Sequence, residues 1–119
     1  MNDTNQNDFK GLNFTILGEG SKLKGEFEFS GELTISSEID GKIVMRDNGK
    51  VVIERNGNVT GSIYCDTIEI FGNFSGNIKA ESKVIIRSSG KLNGHILSGE
   101  LAIYPGALVN IEGHTKDSL

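Results

Sequence analysis

His95, His114 and Cys65 are the side chains of this chain whose chemistry is most versatile. Imidazoles serve as metal ligands or general bases, and a thiolate serves as a nucleophile. Both histidines follow a glycine in similar phrases, Leu92-Asn-Gly94-His95-Ile96 and Ile111-Glu-Gly113-His114-Thr115. If neighbouring strands align, the two lie one strand spacing, about 4.8 Å, apart. Two imidazoles without a carboxylate partner still make a poor metal site. They read better as outward polar positions. Cys65 with His95 as its base fails on direction, because alternation turns Cys65 inward and His95 outward. A buried, inert thiol is the better account.

The remaining candidates are thinner. Glu38-Ile-Asp40 and Asp66-Thr-Ile-Glu69 are carboxylate pairs of the kind that carbohydrate-cleaving enzymes use, yet 119 residues leave little room for a deep groove. Gly18-Glu-Gly20 and Gly72 are turn punctuation. No glycine-rich loop ends in Lys-Ser/Thr ahead of a helix, so no phosphate cradle is expected. A single cysteine excludes an internal disulfide and multi-cysteine zinc patterns. The net charge of −4, with no basic run, argues against a nucleic-acid surface. No apolar run reaches the roughly 18 residues that span a bilayer, and MNDTNQNDFKG lacks the basic and apolar regions of a secretory signal. The expectation is a cytosolic protein with no catalytic, metal-binding or cofactor-binding residues.

The elements that carry these side chains are more informative than the side chains. An apolar-x-Gly-x-apolar phrase recurs around Gly25, Gly41, Gly61, Gly76 and Gly94, with a degenerate copy at Gly113. A short apolar strand precedes each copy, and the isoleucines ending those strands stand at 16, 35, 53, 70, 86 and 103. The steps are thus 19, 18, 17, 16 and 17 residues. Self-similarity at a near-constant period signals a solenoid in which each unit covers the apolar face of the next. The strands alternate with period two and favour Val, Ile, Phe and Thr, and a coil this short holds no helix pair. At about 3.3 Å per residue, one coil makes roughly three short strands with corners. The expected fold is all-β: a single-stranded β-helix, or β-solenoid, of about six coils over residues 14–115. A disordered arm at 1–13 and a short tail at 116–119 flank it.

Alternation also predicts columns. Two residues after each glycine stand Phe27, Ile43, Ile63, Ile78, Ile96 and Thr115, expected to face inward. Four after stand Phe29, Met45, Cys65, Ala80 and Ser98, apolar or small. One after stand Glu26, Lys42, Ser62, Asn77, His95 and His114, polar throughout and expected to face outward. The glycines are expected where a side chain would crowd a narrow interior at a bend.

With this repeat in hand, the chain resembles the bactofilins. The likeness rests on the Ile/Val-x-Gly-x-Ile phrases, on Lys-Val-Val-Ile at 50–53 and Lys-Val-Ile-Ile at 83–86, and on Ile103-Tyr-Pro-Gly-Ala-Leu-Val109. The opening Ile16-Leu-Gly-Glu-Gly20 and Leu23-Lys-Gly25-Glu-Phe27 resemble the family's start. The resemblance implies a right-handed, triangular β-helix. It also implies nucleotide-independent filaments, formed by stacking of like ends, that scaffold cell-shape, cell-wall or polar machinery in the bacterial cytoplasm, often beneath the inner membrane. This chain departs from the family in two places. Leu108 and Val109 stand where aromatic residues are common, and the polar MNDTNQNDFKG stands where many members carry a membrane-targeting segment.

Physics points the same way. A β-helix exposes unpaired backbone groups at both ends, and solenoids need polar caps to stay single. The terminal coils instead carry Phe14, Ile16, Leu17 and Leu23 at one end, and Leu101, Ile103, Leu108, Val109 and Ile111 at the other. These residues are the expected polymerisation interfaces, and the partner is a second copy of the chain. Cell-wall or membrane-associated proteins are further expected partners. Met1, Phe9 and Leu12 with Lys10 offer at most a marginal lipid contact, and a spacer is the preferred reading of the arm. Two other classes compete: a small acyltransferase-like β-helix enzyme, whose strict six-residue repeat is missing, and a surface-binding β-solenoid, whose Thr-x-Thr ladders are missing.

Overall fold

The computed structural model describes residues 14–116, with side chains as far as residue 111. The expected arm at 1–13 lies outside the described residues, as does the tail beyond Lys116. Seven strands form one sheet in chain order: β1 (Phe14–Leu17), β2 (Lys22–Ile35), β3 (Glu38–Ile53), β4 (Asn58–Ile70), β5 (Asn73–Ile86), β6 (Lys91–Ile103) and β7 (Leu108–Lys116). Every neighbouring pair is parallel. Consecutive parallel strands joined by such short turns wind into a β-solenoid of about six turns, as the repeat predicts. No helix occurs among the described residues.

Three breaks divide each full coil. The first is the repeat glycine, whose φ lies between 130° and 151° at Gly25, Gly41, Gly61, Gly76 and Gly94. The second is a register slip, seen at Ser30/Glu32, Val44/Lys50, Cys65/Thr67 and Ala80/Lys83. The third is the turn between strands, where the ladder continues through bonds such as Glu54 N–H to Ile35 O at 2.8 Å and Arg87 N–H to Ile70 O at 2.9 Å. Coil length varies at the turns between strands, which hold two residues at 36–37 and 71–72 but four at 54–57 and 87–90. It also varies at the second corner, where β3 inserts Asp47 and Asn48 with φ of 57° and 59°. Asp and Asn tolerate that left-handed conformation better than other side chains.

Four inward columns supply most of the core, beside a smaller column of Met45, Cys65, Ala80 and Ser98. Ile39, Val59, Phe74 and Leu92 form one, and Ile43, Ile63, Ile78 and Ile96 the next. Leu33, Val51, Ile68 and Val84, then Ile35, Ile53, Ile70 and Ile86, complete the four. All residues of these four columns are 3% exposed or less, so each contributes about 1.5–3 kcal/mol of burial. Because the spacing along the columns is uniform, the mid-rod core is continuous and each coil is covered on both sides. That ends at the termini.

Two sequence expectations shift in register. Leu17, not Ile16, pairs with Ile35, so Ile16 falls opposite Thr34 on the outer surface and is 73% exposed. Ile16 and Leu17 are adjacent apolar residues in a strand of four, and period two alone cannot choose between them. At the other end, Gly94 pairs with Ile111 and His95 with Gly113, because the register slips between Gly94 and His95. Gly113 is therefore outside the glycine column, and His114 pairs with Ile96 where Thr115 was expected.

Candidate functional site

The repeat glycines hold the coils at their separation. A Cβ built on Gly41, Gly61, Gly76 or Gly94 would sit 1.8–1.9 Å from the carbonyl oxygen of the glycine one coil below. The positive φ turns that direction along the rod axis, onto the backbone of the adjacent coil. The expected reason, crowding of the interior at a bend, is replaced by collision between coils. Gly25 has the same backbone, φ 137°, but a Cβ there meets nothing within 4 Å. Its slot is open because β1 covers only Glu32–Ile35 of β2, leaving Lys22–Ser30 without a strand beneath it among the described residues.

Among the described residues the end coils are thus incomplete. At the first end, the inward residues Leu17, Leu23, Phe27 and Phe29 are only half-buried, and the Phe27 and Phe29 rings stack with centroids 6.4 Å apart. Phe14 pairs with Glu32 on the outer side and is 63% exposed. At the second end, Leu101, Val109 and Ile111 are half-buried, while Ile103, in the inward column above Ile86, is 47% exposed. Leu108 pairs with Lys91 and so faces outward, 61% exposed. The nine terminal residues expected at the ends therefore divide. Leu17, Leu23, Leu101, Ile103 and Val109 continue inward columns, Ile111 stands at the glycine corner, and Phe14, Ile16 and Leu108 lie on the flanks. Phe27 and Phe29 belong to the first end as well; their place is visible only once β1 is seen to pair with Glu32–Ile35 alone among the described residues.

One outer feature escaped the sequence reading. Phe71, Arg87 and Tyr104 each follow the isoleucine that ends a coil, so they stack on the outer corner of three successive turns. The Arg87 guanidinium lies 4.6 Å from the Tyr104 ring centroid and 5.6 Å from that of Phe71. Its Nε donates to Glu69 Oε2 at 2.6 Å, and Lys50 Nζ lies 3.8 Å from Glu69 Oε1. The bond to Glu69, the largest cause, holds the guanidinium above its usual range. The ladder ties the last coils together from outside.

The groove nearest to conventional chemistry encloses about 320 Å³ beside Met45, Asp47, Tyr64, Cys65, Asp66 and Glu81. Cys65 is 6% exposed, and burial, with a smaller push from the Asp66 charge, raises its thiol from 9.0 to about 12. A thiol so protonated is a poor nucleophile. His95 stands opposite Asn77 and Gly113, while His114 stands opposite Ile96, so the two histidines share no column. No group of three or more His, Cys, Asp or Glu gathers among the described residues. No described helix is long and apolar enough to cross a membrane.

The comparisons with known proteins agree with this frame. Over 93 residues the chain is 29% identical to Bactofilin BacO of Myxococcus xanthus (strain DK1622), covering 78% of this chain and 72% of that protein. No solved structure matches. A model of the bactofilins, described as polymer-forming cytoskeletal, matches residues 15–115. A uniform solenoid with incomplete coils at both ends, matched across nearly its whole length, belongs to the bactofilin family of polymer-forming cytoskeletal proteins.

Proposed function

We propose that this protein is a structural subunit that assembles end to end, without nucleotide, into non-polar filaments. The filaments serve in the cytoplasm, at or near the inner face of the membrane, as a scaffold for cell-shape, cell-wall or polar machinery. The observation that carries the reading is that both terminal coils are open among the described residues. Leu17, Leu23, Phe27, Ile103 and Val109 continue core columns that are sealed everywhere else in the rod. Covering them against a second copy removes apolar surface from water at about 25 cal/mol per Å² and supplies partners for edge backbone groups. Like-to-like stacking of the ends, first on first and last on last, follows from the family resemblance. A structural role also fits the raised thiol pKa, which leaves Cys65 a poor nucleophile.

The test is direct. Purified protein, freed of ATP and GTP, is examined by negative-stain electron microscopy and by sedimentation over a range of concentrations. Filaments that pellet without nucleotide are expected. A strictly monomeric rod at high concentration would overturn the reading and favour a surface-binding solenoid.

A further inference from the structure

The exposed edge of β2 carries a charge pattern found in no other coil. Lys22-Leu23-Lys24-Gly25-Glu26-Phe27-Glu28 places two lysines before the glycine and two glutamates at the mirrored positions after it. The equivalent outward positions are Glu38, Asp40, Lys42 and Val44 in the next coil, then Asn58, Thr60, Ser62 and Tyr64. They become Asn73, Ser75, Asn77 and Lys79, then Lys91, Asn93, His95 and Leu97. In the first coil the four charged residues are exposed, whereas Leu23 and Phe27 are half-buried. This is also the glycine corner with an open slot, since among the described residues nothing lies within 4 Å of a Cβ at Gly25.

We propose that two copies meet at their first ends with Lys22–Glu28 strands antiparallel and a two-fold axis through Gly25. This inference rests on the end-to-end assembly proposed above and gives one junction its register. Under that axis Lys24 faces Glu26 of the second copy, Lys22 faces Glu28, and Leu23 faces Phe27, each contact occurring twice as an isologous interface requires. The glycines face each other, where neither adds a side chain. An axis centred on a residue keeps inward side chains opposite inward ones, so centres at Lys24 and Glu26 also satisfy the pleat. Those centres set Lys24 on Lys24 or Glu26 on Glu26, and like charges directly opposite are unfavourable. The bend at Gly25 suits the symmetry as well, because a two-fold through a corner exchanges the two segments that flank it. A first-on-last contact, with β2 extending the ladder as β6 does, would set Lys22 and Lys24 against Leu108 and Asn110. Neither lysine would then gain an acid across the junction to add to Glu38 and Asp40 of its own β3. Glu28 already approaches Arg46 at 3.7 Å in an exposed pair, so Lys24 with Glu26 is the dominant match.

Charge exchange tests the register. Lys24→Glu and Glu26→Lys each turn two attractive contacts per junction into two repulsive ones, and the double variant restores attraction with the charges swapped. Filament onset is followed by sedimentation and electron microscopy at low salt, with thermal unfolding as the control for folding. Each single variant is expected to need about tenfold more protein to form filaments, and the swapped double variant to return to wild-type onset. Single variants that assemble like wild type, or a double variant no better than either single one, would overturn the register while leaving assembly intact. A wild-type protein that never assembles would overturn the assembly and the register together.

Discussion

At the scale of single residues, the repeat glycines show how a phrase without reactive groups is kept in a sequence. Gly25 and Gly76 share nearly the same backbone, φ 137° and 136°, and differ in what lies below. A Cβ on Gly76 would collide with the Gly61 carbonyl at 1.9 Å, whereas one on Gly25 enters open space. Gly25→Ala pays only for the strained φ, about 1–2 kcal/mol, whereas Gly76→Ala adds a backbone collision and is expected to cost more than about 3 kcal/mol. Urea unfolding of the two variants, under conditions that keep the protein unassembled, measures the difference; equal losses would contradict the coil-to-coil collision. The periodicity located these glycines but not their role, because sequence spacing does not reveal the direction of a Cβ under positive φ. Cys65 gives a second residue-scale prediction. Its thiol, raised from 9.0 to about 12, stays protonated in the folded protein while the unfolded thiol ionises, so stability falls as pH climbs from 9.0 toward 12. Below 9.0 this effect is absent. Alkylation by iodoacetamide at pH 8 should be slow in the native protein and fast in urea, and equal rates would show that the thiol is not sealed.

Strands were legible where a neighbour on each side fixes their register. The isoleucine column from Ile35 to Ile86 and the glycine column from Gly41 to Gly94 emerge from spacing alone, since each coil repeats the pattern of the last. Both departures lie in β1 and β7, the strands paired on one side only. In β1, adjacent Ile16 and Leu17 compete for the inward place; in β7, the slip after Gly94 moves Gly113 away from the corner it resembles. The Phe71–Arg87–Tyr104 ladder went unread because those residues occupy turn positions, outside the apolar alternation. The same reasoning makes β7 the element to break for one junction. Val109, half-buried in the inward column above Leu92, should tolerate Asp in the isolated subunit better than a mid-rod position would. Val109→Asp is expected to stop assembly at the last coil and leave dimers joined at the first, a size read by light scattering. Long filaments from this variant would show that the last-coil contact lies elsewhere.

Over the whole molecule, one property carries the proposed function: the core columns of a uniform rod reach both ends without a seal among the described residues. The sequence made the uniform rod and its family visible. It did not reveal that Gly25 has no strand beneath it among the described residues, because the extent of terminal pairing leaves little trace in periodicity. If the ends stack like to like, six coils at about 4.8 Å give a subunit roughly 29 Å long, and the repeat of a non-polar filament is two subunits, about 58 Å. Cryo-electron microscopy of filaments grown without nucleotide measures that repeat. Strands lying across the filament axis, with a repeat near 58 Å and two-fold axes at both junctions, are the predicted result. A repeat of one subunit with a single polarity, or rods joined side by side with their ends open to solvent, would contradict it.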